Sequence, residues 1–235
     1  MSQQSVRVAT QAELTRAAER ALAITDGAGV IGLGSGRAAT AFIHALGAQV
    51  KEGRAVRGVP TSEATAALAR ALGIPLVGLD GASPEVTVDG ADEVDPRLDL
   101  IKGWGGALVR ERIVAAASER QIILVGPEKL VPALGARGRL PVEVVPFALP
   151  LAMRRLQSIA GAPARRLSAE GRPFVSDNGN PILDCAVEPI QDPKDLEREI
   201  MAIPGVVGTG LFLATAAVVL VGEPDGVREL HRAPS

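Results

Sequence analysis

Histidine, cysteine, tyrosine and tryptophan are scarce in this chain: of 235 residues, two are His, one is Cys, one is Trp and none is Tyr. Each shortage excludes a class of chemistry. His44, in the run FIHAL, is read as a helix-packing residue and His231 as a solvent-exposed residue of the polar C-terminal stretch, so imidazole catalysis is not expected. Zinc-type Cys/His spacing is absent. Cys185 has no partner for an internal disulfide and lies in the strand-like ILDCAV, which points to an inert core thiol and a reducing, cytoplasmic home. Proton transfer must then fall mainly to carboxylates and lysines. No apolar run is long enough to span a bilayer, and MSQQSVRVATQAEL lacks the apolar segment of a signal peptide, so a protein without a membrane partner is expected. A basic excess is missing too: the net charge is −2, which disfavours a nucleic-acid partner.

What is present is an alternation of strands and helices. Thr10-Gln11-Ala12-Glu13 is a capping box, followed by Leu14, Ala17, Ala18, Ala21 and Leu22 at helical spacing. Strands are expected at 29–34, 55–60, 75–79, 85–88 and 121–125, with helices at 38–46, from Thr61-Ser62-Glu63 to Leu72, and from about Gly105 to Arg120. This order predicts a Rossmann-like, mainly parallel sheet with helices on both faces. After Gly138 the order becomes strand 140–147, helix 149–159, strands 165–168 and 182–187 around the turn Asp177-Asn178-Gly179, helix 193–203 opened by Asp192, and strand 206–213. That is the split βαβ order of a small α+β, ferredoxin-like domain. Residues 216–222 form one more apolar strand, assigned to the first domain. The expected division is therefore 1–138 with 212–235, and 139–211.

Several residues carry chemistry within this frame. Gly34-Ser35-Gly36-Arg37-Ala38-Ala39 satisfies G-x-G-x-x-A between a strand and a helix, where amides and the helix N-terminus hold a phosphate. A dinucleotide site also needs an acid at the end of the second strand, and that strand ends at Val59-Pro60 with only Arg57 charged. Phosphate without NAD is the reading; a tight turn needing glycine for geometry is the bland one. Thr61-Ser62-Glu63-Ala64-Thr65 offers hydroxyls at a second helix start, and Thr61 and Ser62 serve equally as a helix cap or as a phosphate or sugar contact. Asp89-Gly90-Ala91-Asp92 places two carboxylates at a strand's carboxyl end, suited to hydroxyl recognition and proton relay, whereas Asp95-Pro96-Arg97 reads as an ordinary turn. Glu111 lies on the apolar stripe with Ala107, Leu108, Val114 and Ala115, where desolvation makes a stronger base; the alternative is a buried salt bridge to Lys102. Lys102 sits among glycines that favour ligand contact. Trp104, between Gly103 and Gly105, reads as a pocket wall or partner contact rather than core.

These residues resemble the type A ribose-5-phosphate isomerases over essentially the whole chain. The resemblance runs from Gly34-Ser35-Gly36 through Pro60-Thr61-Ser62, Asp89-Gly90-Ala91-Asp92-Glu93, Lys102-Gly103, Arg110-Glu111 and Pro141-Val142-Glu143-Val144 to Pro224-Asp225-Gly226-Val227. The resemblance implies an aldose–ketose isomerase acting on a sugar phosphate in the non-oxidative pentose phosphate pathway, without metal or organic cofactor, as a homodimer or homotetramer. It implies Glu111 as the base shuttling a proton between C1 and C2, Asp89 and Asp92 as sugar-binding and ring-opening groups, and Lys102 as the support of the enediolate. Lys129 and the loop Ser35, Gly36, Arg37 and Ala38 would contact substrate, with Thr61, Ser62, Gly90, Ala91, Gly103, Trp104 and Gly105. The chain departs from the family where Arg37 and Ala38 replace hydroxyl residues, a loss Arg37 could offset as a charged donor. It departs again at Trp104, where small residues are common. Two rivals remain: a sugar-phosphate-sensing module, which would normally follow a helix-turn-helix, and an NADP-dependent oxidoreductase resting on Arg57.

Overall fold

A strand such as Gln121–Val125, apolar without alternation from Ile122 on, is stable only when covered on both faces, and all five of its residues are buried. The computed structural model describes residues 7–232. In chain order its elements are α1 (Gln11–Ile24), β1 (Val30–Leu33), α2 (Arg37–Lys51), β2 (Arg57–Pro60), α3 (Glu63–Ala71), β3 (Val86–Gly90), β4 (Glu93–Val94), β5 (Leu100–Ile101), α4 (Leu108–Ala117), β6 (Gln121–Val125), β7 (Leu140–Val144), α5 (Leu149–Ile159), β8 (Ala162–Arg165), β9 (Ile182–Ala186), α6 (Pro193–Met201), β10 (Val206–Thr209), β11 (Leu211–Phe212), β12 (Ala216–Glu223) and β13 (Gly226–His231). Two units emerge: Met1–Ala91 with Ile113–Leu130 and Thr215–Ser235, and Asp92–Arg112 with Val131–Ala214. The division expected at 138/139 and 211/212 differs from this one. Segments 92–112 and 131–138 belong to the second unit because β4, β5 and β11 share a sheet there and Ile101, Leu134 and Leu140 share its core. Among the described residues, no helix is long and apolar enough to cross a membrane.

The first unit is built on a six-stranded sheet in the order β13-β12-β6-β3-β1-β2, parallel except for β13. Helix α1 opens with the expected capping box, Thr10 Oγ1 accepting from the Glu13 N–H and Glu13 Oε2 from the Thr10 N–H at 2.7 Å. Apolar clusters cover both faces: Ile31, Leu33, Val88 and Leu124 pack with α1 and α2, whereas Val30 and Val59 pack with Val114. Phe42 of α2 is fully buried, a contribution of about 1.5–3 kcal/mol relative to exposure. Because β1 lies between β2 and β3, the winding reverses between β1 and β3, which leaves a crevice at their carboxyl ends.

The second unit has an antiparallel sheet in the order β10-β7-β9-β8 and a three-stranded sheet β11-β5-β4. Val142, Val144, Leu183 and Cys185 share one core with Ala152 and Leu156 of α5 and Ile200 of α6. The strand expected over 206–213 divides at Gly210, whose N–H bonds to the Pro141 carbonyl at 2.7 Å while its own carbonyl accepts the Lys102 N–H at 2.9 Å. One glycine thus switches the chain from β7 to β5.

Other expectations shift. Residues 75–79 contribute only a bridge between Gly58 and Leu76, since Pro75 offers no donor and the chain turns back at Gly78. The helix expected from Gly105 begins at Leu108, after Gly106 adopts φ +93° and bonds back to Gly103. The strand expected at 165–168 lies at Ala162–Arg165, and β7 stops before Pro146. Asp95 does form a turn, accepting from the Arg97 and Asp99 N–H groups, and this turn joins β4 to β5. His44 is exposed on α2 rather than packed. His231 is exposed as expected, yet it lies in a strand, 3.5 Å from Glu229.

Candidate active site

In the first unit the loop after β1 meets the end of β3. Asp89 is fully buried, and its Oδ1 accepts from the Ser35 N–H at 3.0 Å and the Gly90 N–H at 2.7 Å. Only glycine fits at 34, because a Cβ there would stand 2.2 Å from Asp89 Oδ1 and 2.5 Å from its Cα. Ser35 Oγ lies 2.9 Å from Thr61 Oγ1, 3.0 Å from Ser62 Oγ and 3.2 Å from Thr65 Oγ1. Thr61 and Thr65 donate to the Leu33 and Gly34 carbonyls at 3.0 and 2.9 Å, which fixes the cluster against the β1 loop. Ser62 also caps α3 by accepting from the Thr65 N–H. Its capping and its place among the hydroxyls are thus one arrangement.

Gly36 opens α2 without a capping side chain, so the first amides of that helix remain open to an anion. Ala38 is buried, 3.9 Å from where a Gly90 Cβ would stand. Arg37 is exposed and donates to the Ala9 carbonyl at 3.1 Å. The hydroxyls beside the loop come instead from the start of α3: Thr61 and Ser62 just before it and Thr65 in its first turn. Gly90 and Ala91 are half-buried, as is Lys129 in the turn after β6.

In the second unit, Lys102 and Glu111 are both buried, with Nζ 3.5 Å from Oε2. Helix α4 holds Glu111, whose N–H bonds to the Ala107 carbonyl at 2.9 Å, and its stripe neighbours Leu108 and Val114 are buried. The two readings of Glu111 therefore coincide: it lies on the apolar stripe and it pairs with Lys102. Lys102 Nζ lies 5.5 Å from the Phe212 ring centre, and the Arg112 guanidinium lies 4.6 Å from it. Burial lowers the affinity of Arg112 for its proton, opposed by Glu197 at 3.1 Å.

Asp92 Oδ2 accepts the Trp104 N–H at 2.9 Å, and its own N–H bonds to the Ile101 carbonyl. Glu93 follows, fully buried; burial raises its pKa, opposed by backbone N–H groups of Gly135, at 2.6 Å, and Arg137, at 2.9 Å. The Trp104 ring packs against the second unit's apolar core and donates Nε1–H to the Arg139 carbonyl at 3.3 Å, with Arg137 and Arg139 stacked on it. Flanking glycines thus failed to signal an outer place for this ring: they free the backbone, and the ring reaches the core. Gly103 is buried and Gly105 exposed. Phe212 and Gly210 were not found as candidates, because they lie more than a hundred positions away and carry no motif.

A buried amine beside a buried carboxylate can stabilise an oxyanion and move a proton, and open helix amides beside hydroxyls can hold a phosphate. The model of the family "Ribose 5-phosphate isomerase A (phosphoriboisomerase A)" matches residues 57–226. A ribose-5-phosphate isomerase A from Roseiflexus sp. (strain RS-1) is 53% identical over 223 residues, covering 94% of this chain and 95% of that one. The structure of a D-ribose-5-phosphate isomerase in complex with phospho-erythronic acid matches with a TM-score of 0.91 at 39% identity, over 96% of this chain and all of that one. The ribose 5-phosphate isomerase A structure from Methanocaldococcus jannaschii matches with a TM-score of 0.90 at 39% identity, over 95% of this chain and all of that one. The chain belongs to the ribose 5-phosphate isomerase A family.

Proposed function

We infer that the chain carries out the reaction its family is named for, interconverting D-ribose 5-phosphate and D-ribulose 5-phosphate, and that it does so through an enediolate. The observation that carries this reading is the buried Lys102–Glu111 pair at 3.5 Å. Isomerisation of an open-chain aldose needs a base that removes the C2 proton and returns it to C1, and a cation for the oxyanion that forms between the two steps. Glu111 is the base, accepting the C2 proton and then protonating C1. Lys102 offsets the charge on the oxygen at C1, and the proton of the C2 hydroxyl passes to that oxygen, which ends as a hydroxyl while the oxygen at C2 becomes the carbonyl.

Asp89 and Asp92 bind the sugar hydroxyls and open the ring by passing the anomeric hydroxyl proton to the ring oxygen. The amides of Gly36, Arg37 and Ala38 and the hydroxyls of Ser35, Thr61 and Ser62 hold the phosphate with Lys129, while Gly90, Ala91, Gly103, Trp104 and Gly105 line the sugar. The second unit's strand order β10-β7-β9-β8, with α5 and α6 between strands, supports a ferredoxin-like subdomain. We propose further that the protein is a cytoplasmic homodimer or homotetramer in the non-oxidative pentose phosphate pathway.

The test is ribulose 5-phosphate formation from ribose 5-phosphate, with and without EDTA. Equal rates in both conditions are expected. Activity that EDTA abolishes contradicts the metal-independent mechanism, and no activity in either condition leaves only sugar-phosphate binding. Phospho-erythronic acid, which the matched isomerase structure holds, carries an acid in place of the reacting carbons and is expected to compete with substrate.

A further inference from the structure

The loop after Lys102 contains Gly103, Gly105 and Gly106, and glycine retains more backbone freedom than any other residue. The Lys102 N–H is held by the Gly210 carbonyl, but the loop that follows keeps its course past the lysine only if something outside it anchors the backbone. Arg166, the residue after β8, does so. It is buried, and its Nη1 donates to the Gly103 carbonyl at 2.8 Å and to the Trp104 carbonyl at 3.2 Å. Its other edge grips Asp184 of β9 through two parallel bonds, Nε to Oδ2 at 3.0 Å and Nη2 to Oδ1 at 2.5 Å, the fork arrangement that fixes a guanidinium in its plane.

Further contacts lock the same guanidinium. Arg139 Nη2 reaches Asp184 Oδ2 at 2.8 Å, and the Arg139 carbonyl accepts the Trp104 Nε1–H. The Arg166 guanidinium lies 5.7 Å from the Phe174 ring centre, and the Phe174 N–H returns to the Arg166 carbonyl at 2.9 Å. The Phe174 ring in turn closes on Gly106, where a Cβ would meet it at 2.4 Å. Every contact in this network lies on the loop's backbone or on groups that hold Arg166, so its effect on chemistry passes through the loop.

We propose that Arg166, oriented by Asp184, is a positioning residue for the isomerisation: by holding the Gly103 and Trp104 carbonyls it fixes Lys102 for the enediolate oxygen and the Trp104 N–H for Asp92. The proposal rests on the roles given above to Lys102 and Asp92. It explains why a charged pair, Arg166 buried and Asp184 half-buried, stands behind a loop of glycines, where an apolar pair would fill the same space but hold no carbonyl. Misplacement of a catalytic group by about 1 Å costs on the order of 10²-fold in rate, and the loop lacks any side chain but Trp104 to prevent it.

The experiment compares Arg166→Met, Arg166→Lys, Asp184→Asn and Lys102→Met by steady-state kinetics, with kcat normalised to the folded fraction from urea denaturation. Arg166→Met is expected to lower kcat on the order of 10²-fold with KM within about threefold of wild type. Arg166→Lys keeps the charge without the fork and is expected to recover about tenfold of that loss. Asp184→Asn falls between wild type and Arg166→Met. A folded Arg166→Met protein with kcat within about threefold of wild type, beside an inactive Lys102→Met, overturns the clamp alone. Full activity in Lys102→Met overturns the role of Lys102 and the reason for the clamp with it. If Arg166→Met does not fold, Arg166→Lys decides by the same kcat criterion; failure of both to fold assigns Arg166 to folding and overturns the proposal.

Discussion

Replacing Glu111 with glutamine separates the two tasks of the Lys102–Glu111 pair. The groups stand 3.5 Å apart and both are buried. At an effective dielectric near 20 their attraction is about 5 kcal/mol, most of it offset by the cost of taking both charges out of water. Removing one charge leaves the other uncompensated, which costs about 3–5 kcal/mol when nothing replaces it. Glutamine keeps a hydrogen-bond acceptor, so the lower end applies, a fall in Tm of roughly 6–12 °C for a chain of this size. Lys102→Met alone falls nearer the upper end. The double variant loses both charges together, and its cost should be less than the sum of the singles by about 2 kcal/mol or more.

Kinetics supplies the second readout. Glu111→Gln should lower kcat by about 10²–10⁴-fold, the range of a positioned general base, with KM little changed, since the base contributes to the transition state rather than to binding. Urea denaturation of the four proteins and initial rates of ribulose 5-phosphate formation measure both. A kcat within tenfold of wild type would mean that Glu111 is not the base. Single costs that add to the double within about 0.5 kcal/mol would mean that the pair is not coupled.

Other consequences of the structure are open to direct measurement. Gly34→Ala forces a Cβ to 2.2 Å from Asp89 Oδ1, so it should destabilise the protein by about 1–3 kcal/mol and raise KM; a variant with unchanged KM and stability would show that the approach of β1 to β3 has no such constraint. Burial, aided by the charge of Asp184, pushes the Cys185 thiol up to about 12, so the folded protein should not react with a thiol reagent at pH 8 while the urea-unfolded chain does, and rapid labelling of the native state would contradict that burial. Burial raises the affinity of Asp184 for a proton, but the hydrogen bonds from Arg166 and Arg139 outweigh it and hold the carboxyl below its usual range. Its stabilising contribution is therefore complete above the ordinary aspartate value of about 3.9 and fades as pH falls through the lower folded value. Asp184→Asn should accordingly lose less stability than wild type on acidification below about pH 4; equal losses would remove Asp184 from the acid response.

Much of the fold was legible because its signals are local. The capping box at Thr10, the unbroken apolar run Ile122–Val125 and the Asp192 cap each depend on a few neighbouring residues, and each appears where expected. The Lys102–Glu111 pairing was legible for the same reason, since nine positions and one helical stripe connect them. Elements that failed to show were short or lay at an edge. β4 and β5 hold two residues each and exist through pairing with each other and, for β5, with β11, more than a hundred positions on. The stretch 75–79 has strand composition but only one bridge to an edge strand.

By itself the amino-acid sequence determined which groups can do chemistry here: carboxylates and a lysine, in a chain almost without histidine, with a glycine loop and no acid for a dinucleotide. Tertiary structure alone decided what holds those groups. It set Thr65 beside Ser35, took Arg37 to the Ala9 carbonyl, packed the half-buried Trp104 ring against the second unit's core and anchored the loop after Lys102 to Arg166. Residue type and spacing decide what a side chain can do, because reactivity resides in its own atoms and nearest neighbours. Its position is decided by partners dozens of residues away, which only the folded chain brings within hydrogen-bonding distance.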